Sequence, residues 1–566
     1  MVITTNSTYV VSPDFDPTVI PEGYIWDETA FKELVKATDK ATADQTIFTY
    51  GGPQGDADVF YENAADLTIS SEKYNGAGQA VDTTVTANTF NNTGTVTTEG
   101  AIIFSLLSFS NSGTFNLDKT GALTAGGAIT NTADGTINLN AGTTLQGSMV
   151  SNSGTITVVS DHATINGEIS NNGTIDALRK KLIVTGDVQN ANEDDTKLAR
   201  DASVITAREF EVTGNVVNYG AIGGESEPVN TMSVTGALGN YHYLKATVLT
   251  ADSINNDSIQ SEIEEECTLG FLDTGEIRAG SIDNVSGLIM TGTPKETAAG
   301  IKVTGTINNG NADNVVSAKI NAGLNGWIQA ASLNNIGTDI ENSLIEAGKL
   351  TVDDIENKGG ISTRIVEATT ITNNATGLFF VSFIDDPEVI GITEAASLTA
   401  GTIINGGTFA VHSKADLPTA VTVTSIENNG TFGFFGAGTT LEGDIVNNAD
   451  GQLDVTGTVT GTTATITNSG TLNVSNADDV SGVLTVDAVT NTETGTINLN
   501  AGTTLQGSTV VNGGAITVVS DHATIEGAIT NTGTIDALMK KLIVTSTMAL
   551  PVSMPPCQTY ISASIL

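Results

Sequence analysis

Two Asp-His pairs, Asp161-His162 and Asp521-His522, could do chemistry in this chain of 566 residues, since a carboxylate beside an imidazole is a common arrangement for general acid-base catalysis. Both lie inside a block that the chain carries twice, 135–185 and 495–545, and neither has a nucleophile or basic partner beside it. A place on the surface of a repeated unit is the reading they support. His242 stands between Tyr241 and Tyr243 and His412 stands alone, so neither shows metal-ligand spacing. Cys267 and Cys557 are too few and too ill-matched for a disulfide framework or a metal site. No Asp-x-Asp-x-Asp-Gly loop occurs, and Gly51-Gly52-Pro53-Gln54-Gly55-Asp56 is a single imperfect relative of a calcium-binding nonapeptide. No catalytic, cofactor-binding or metal-ligating residue is therefore assigned, and no cofactor is expected.

The aromatic residues offer one further candidate. Phe379-Phe380 with Phe383, and Phe432, Phe434 and Phe435, form two clusters whose default reading is core. The alternative is a platform for a sugar or a partner near the acidic run Asp385-Asp386-Pro387-Glu388. With 64 Asp and Glu, chance carboxylate pairs are certain, so a neutral-sugar hydrolase cannot be read from spacing along the chain. Asn-x-Ser/Thr triplets such as Asn6-Ser7-Thr8 are generated by the repeat itself and carry little information about glycosylation.

Charge excludes more than it assigns. The 22 Lys and Arg against 64 acids leave a net charge of −42, which argues against nucleic acid and against an anionic membrane as partners. It reads as solubility for a chain with a large surface. No apolar run is long enough to cross a bilayer as a helix. The opening Met1-Val2-Ile3-Thr4-Thr5-Asn6 lacks the basic and apolar regions of a secretory signal, so an export signal is expected to be missing, unusual or removed.

What must position any site is the repeat. The pattern apolar-x-Asn-x-Gly-Thr-apolar, clearest in Ile169-Ser170-Asn171-Asn172-Gly173-Thr174-Ile175, recurs around Asn92, Asn111, Asn152, Asn405, Asn428, Asn468 and Asn531. A two-residue insertion precedes the Gly at Asn131, Asn447 and Asn491. Copies recur at roughly 19–23 residues, a solenoid period. Each offers a β-forming segment, a break at Asn and Gly, and a second β-forming segment. The left-handed backbone that Asn and Gly accept is expected to turn the corner. Stacked at ~4.8 Å, such units place Ile and Val columns inside and Thr, Ser and Asp outside. Stacked Asn amides can then hydrogen-bond along their column. A second small corner at Gly147 or Gly167 predicts two or three short strands per coil of about 20 residues.

Along the chain, residues 1–50 are a leading segment. Asp27 as N-cap and Phe31, Leu34, Val35 and Thr38 on one face predict an amphipathic helix over 29–41, suited to cap the first coil. Residues 45–50 read as a strand ending at Gly51-Gly52. Residues 51–545 form the repeat domain, irregular over about 186–400, where Asn218, Asn284 and Asn357 keep the corner. The runs Asn192-Glu193-Asp194-Asp195 and Glu262-Ile263-Glu264-Glu265-Glu266 interrupt the rhythm, and such insertions leave a solenoid as loops. Residues 546–566, with Pro551, Pro555 and Pro556, leave the pattern and are expected to be a poorly ordered or truncated tail.

The Asn-x-Gly-Thr corners, short coils, acidic composition, scarce Cys and leading amphipathic segment resemble the passenger regions of bacterial adhesins and autotransporters over about 50–545. That resemblance implies an all-β fold, a right-handed parallel β-helix. It also implies a non-enzymatic protein at the cell surface or secreted, adhering to host, matrix or neighbouring cells as a monomeric rod, through a protein or glycan partner it leaves unnamed. The alternative is a polysaccharide-active lyase or hydrolase on the same scaffold. The scarcity of Lys and Arg disfavours a lyase, which needs a basic catalytic group.

Overall fold

The computed structural model describes residues 60–63, 66–70, 83–257, 271–291, 299–386 and 392–545, except 225, 312–316, 338–342, 478–479 and 538–539, together with short strands near either end. The chain divides into two compact units, Met1–Thr274 and Gly275–Leu566. Each is a parallel β-solenoid, and the chain contains about 20 turns at about 21 residues per turn.

A coil of the first unit shows how the sequence sets the geometry. Thr155–Val158 forms the first sheet, and His162–Asn171 bends near Gly167 to supply the second and third. Each segment pairs in parallel with its counterpart one coil away, Ile156 beside Ile137 and Ile175, Ile165 beside Leu145 and Val184, Ile169 beside Val150 and Val188. Thr155–Val158 alternates outward and buried residues, so the sequence alternation becomes an inside and an outside. These Ile, Val and Leu columns are 2% exposed or less, and each such side chain contributes roughly 1.5–3 kcal/mol on burial. In the first coils Phe90, Phe104, Phe109 and Phe115 interlock, with ring centroids 4.9–6.4 Å apart.

The third sheet ends in the asparagine column. In the first unit Asn92, Asn111, Asn131, Asn152, Asn171, Asn190, Asn218, Asn240 and Asn256 each donate from Nδ2 to Oδ1 of the next, at 2.7–2.9 Å. In the second unit the run passes from Asn284 through Asn309, Asn335, Asn357, Asn373 and Asn405, then on to Asn531, at 2.6–2.9 Å. The ladder holds while the spacing in sequence runs from 16 residues, Asn240 to Asn256, to 32 residues, Asn373 to Asn405. Each amide also meets backbone: Asn152 Nδ2 donates to the Gly154 carbonyl at 3.2 Å and to Thr174 of the next coil at 3.1 Å. The column thus satisfies buried carbonyls that turn away from the sheets at the corner.

The corner glycines serve a different purpose from the expected one. Gly113, Gly135, Gly154 and Gly173 do not have positive φ, and neither do the ladder asparagines. Instead a Cβ on Gly154 would stand 2.2 Å from the Gly135 carbonyl oxygen, and one on Gly173 would stand 2.2 Å from that of Gly154. Consecutive corners stack too closely for a side chain. Left-handed glycine occurs at the second corner, as at Gly167 with φ +133°.

The helix expected over 29–41 is not seen. Glu33–Lys36 is a strand paired antiparallel with Tyr24–Asp27, Trp26 opposite Leu34 and Ile25 opposite Val35; the rest of that stretch lies outside the described residues. The physical reason is local: Tyr24-Ile25-Trp26 is a strong β-former and Leu34-Val35 pairs with it, with Asp27 held in the strand opposite Glu33. The strand expected over 45–50 is present as Ile47–Phe48, paired with Val10–Val11. In the tail, Met548–Ala549 and Ile561–Ala563 pair with 529–530 and 542–544.

The insertion after Asn190 leaves the coil as a loop with a short helix, Lys197–Ala202, capped by Thr196 Oγ1 accepting from the Ala199 amide. Arg200, 2% exposed, anchors it by donating to the Glu193 carbonyl at 3.0 Å. The acidic run 262–266 lies outside the described residues.

Candidate binding groove

Five successive coils of the first unit build a groove on the outer side of the third sheet. Ser170, Gln189, Val217, Gly239 and Asn255 stand in one register column, between the buried Ile169 column and the ladder. Glu168, Asp187, Asn215, Ala237 and Ser253 form the neighbouring outward column at the bend. Together with Met149 and Tyr241 these columns line an open groove of about 680 Å³. It exists because the outward positions become small at Ala237 and Gly239 while larger side chains flank them.

The bend is cross-linked from coil to coil. Asp187 Oδ1 accepts from the Asn215 backbone N–H at 2.7 Å and from its Nδ2 at 3.2 Å, and Asn215 Oδ1 accepts from the Ala237 N–H at 2.9 Å. Tyr241 lies over Gly239, where a Cβ would come within 3.0 Å of its ring. Its hydroxyl accepts from Asn255 Nδ2 at 3.3 Å. The Oδ1 of Asn255 is shielded from solvent and accepts no hydrogen bond.

Behind Tyr241 stands Tyr219, the rings stacked at 4.7 Å and 17°. Burial, then the negative charge of Glu193 to which its hydroxyl donates at 3.4 Å, push the Tyr219 phenol up to about 12. Because the folded value exceeds the unfolded one near 10, the neutral phenol's contribution is intact below pH 10 and is lost as pH rises towards 12. An alkaline absorbance titration should show one tyrosine ionising near 12, and Tyr219→Phe should flatten the stability loss between pH 10 and 12. A Tyr219 ionising with the exposed tyrosines would contradict this packing.

The residues singled out by chemistry are placed elsewhere. Asp161 Oδ2 and His162 Nδ1 are 2.9 Å apart, as are Asp521 and His522, each pair at a corner with its Asp in left-handed backbone, φ +52° and +49°. They are surface corner residues in both copies. His242 Nε2 lies 2.9 Å from Asp201 Oδ1, tying the corner after Asn240 to the inserted helix. Among the described residues no three His, Cys, Asp or Glu converge as for a metal ion. Phe379, Phe432 and Phe434 belong to the core, Phe379 stacking on Phe409 at 4.6 Å and Phe409 on Phe432 at 4.9 Å. Phe380, Phe383 and Phe435 are partly exposed, and Phe435 stacks on His412 at 5.2 Å, where burial holds the imidazole below its ordinary value. Sequence reasoning missed the groove, because Glu168, Asp187, Asn215 and Asn255 are separated by 19 to 40 residues and meet only through the register.

The fold and its amide column define a β-solenoid repeat protein with an asparagine ladder. Compared with protein-family models, curated proteins and solved structures, the chain has no match. No helix among the described residues is long and apolar enough to cross a membrane.

Proposed function

We propose that this chain is a non-enzymatic, adhesin-like repeat protein, secreted or displayed at a cell surface, whose coils are right-handed and present their outer faces to host, matrix or neighbouring cells. One observation carries the reading: an open groove built from outward columns of five coils, above a ladder that fixes their spacing. The right-handed sense follows the strong preference of connections between parallel strands. The net charge of −42 suits the solubility of a chain with a large surface, and two cysteines are compatible with export of an unfolded chain, in which a premature disulfide would block passage.

The alternative, a polysaccharide-active enzyme, has a specific feature in its favour. Glu168 and Asp187 occupy adjacent rungs of one column in the groove, and retaining glycosidases use closely spaced carboxylates. Arrays of glycans and matrix proteins, run beside an assay for polysaccharide cleavage, separate the two. Saturable binding without cleavage is the expected result. Cleavage abolished by Glu168→Gln would overturn the non-enzymatic reading.

A further inference from the structure

The chain contains its own comparison for the groove face. Between 135–185 and 495–545 nine positions differ: Met149/Thr509, Ser151/Val511, Ser153/Gly513, Thr155/Ala515, Asn166/Glu526, Glu168/Ala528, Ser170/Thr530, Asn172/Thr532 and Arg179/Met539. None of these positions is buried in the first copy, so the core is untouched. Six of them, at 149, 151, 153, 168, 170 and 172, lie on the third-sheet segment or the corner after it. Outside that segment Asn138, Thr144, Gln146 and Thr164 are identical in both copies, and among the outward strand positions only Thr155, Asn166 and Arg179 change. Change has therefore fallen mainly on the face that carries the groove in the first unit, where Met149, Glu168 and Ser170 are lining residues.

We propose that this face is the recognition surface, that the groove of the first unit takes an extended, uncharged oligosaccharide, and that the corresponding strip of the second copy does not. This assignment rests on the binding role proposed above and names its ligand class. The groove offers acceptors in excess: the carboxylates of Glu168 and Asp187 and the amides of Gln189 and Asn215. Sugar hydroxyls supply the matching donors, and the Tyr241 ring is an apolar surface for a pyranose face. No Lys or Arg is among the described lining residues, so an acidic glycan would meet uncompensated carboxylates. The acceptor columns repeat every ~4.8 Å over five rungs, close to the rise of an extended β-linked pyranose chain. In the second copy Glu168 is replaced by Ala528, Ser170 by Thr530 and Met149 by Thr509, so the carboxylate leaves this column while Glu526 appears on the neighbouring sheet. Asp187, Asn215 and Tyr241 lie beyond the duplicated block and have no counterpart in it.

The test uses the full chain, with neutral hexasaccharides (cellohexaose, xylohexaose, chitohexaose and mannohexaose), an oligogalacturonate and a polylysine peptide as probes, read by calorimetry. At least one neutral hexasaccharide is expected to bind. Tyr241→Ala, and Glu168→Ala with Asp187→Asn, should each weaken it at least tenfold with circular dichroism unchanged, whereas Ala528→Ser with Thr530→Ala should leave it unchanged. The proposal is overturned if no neutral hexasaccharide binds, if binding survives both groove variants, or if only polylysine or oligogalacturonate binds through the groove. Binding of matrix protein or glycan through another face would sink this assignment while leaving the adhesin-like reading intact. Cleavage of the bound hexasaccharide would instead sink the non-enzymatic reading.

Discussion

Asn152→Asp should be the most damaging single change in the regular coils of the first unit at neutral pH. Asn152 Nδ2 donates to Asn171 Oδ1, to the Gly154 carbonyl and to the Thr174 carbonyl, while its Oδ1 accepts from Asn131. A carboxylate keeps only the last of these and turns negative charge towards three acceptors in a site that is fully buried. Each stranded buried partner costs about 1–3 kcal/mol, so Asn152→Ala should lose roughly 3–5 kcal/mol and Asn152→Asp more. The sign with pH follows from the same contacts. The new carboxyl titrates above its unfolded value, so the loss is full above the folded pKa and shrinks as pH falls through it, because the protonated acid can again donate. Denaturant melts of both variants between pH 4 and 8 check this: the gap between Asp and Ala should narrow on acidification. Wild-type stability in Asn152→Asp at pH 7 would contradict it.

Gly173→Ala is expected to come next, with a loss of roughly 3 kcal/mol or more, since overpacking against rigid backbone is at the upper end of such costs. The new Cβ would sit 2.2 Å from the Gly154 carbonyl oxygen and 2.6 Å from the Ser153 carbonyl carbon, and neither can withdraw without opening the rung. Gly323→Ala provides the contrast. There φ is +76° with nothing within 4 Å of the added carbon, so only the backbone conformation opposes it and the cost should be about 1–2 kcal/mol. Paired thermal melts measure the difference. Equal effects at the two positions would mean that conformation, not close stacking, selects the corner glycine.

The same pair of residues shows what was legible from sequence. The corner was visible where Asn171 is followed by Gly173 and Thr174, and the small break near Gly167 left two or three strands per coil, which the structure resolves as three segments. The ladder positions Asn190, Asn240, Asn256, Asn309, Asn373 and Asn512 were not legible, because the Gly-Thr that follows elsewhere is missing, altered or displaced, whereas Asn335 keeps Gly337-Thr338 and lacks only the apolar residue after them. What they share is an apolar residue two positions earlier, such as Val188, Leu238, Ile254 or Ile371, buried in the neighbouring column. The ladder demands only apolar-x-Asn; the length of chain before the next rung is free, as the loop and helix after Asn190 show. Near the start, a pattern of Phe31, Leu34 and Val35 fitted a helix, yet pairing of Ile25 with Val35 decided otherwise. The groove was hidden for the opposite reason: its residues belong to no motif and are brought together by register alone.

Everything proposed for the outer face depends on a buried amide column within each unit that fixes where its rungs stand. Side-chain amide hydrogen exchange, followed by transverse-relaxation-optimised NMR on the full chain labelled with ¹⁵N at asparagine, reads that column directly. The ladder residues Asn111 to Asn240 and Asn309 to Asn512 should form a set of Nδ2 protons protected far beyond those of exposed asparagines such as Asn172. Exchange of the ladder amides at the rate of exposed ones would show that no such column exists.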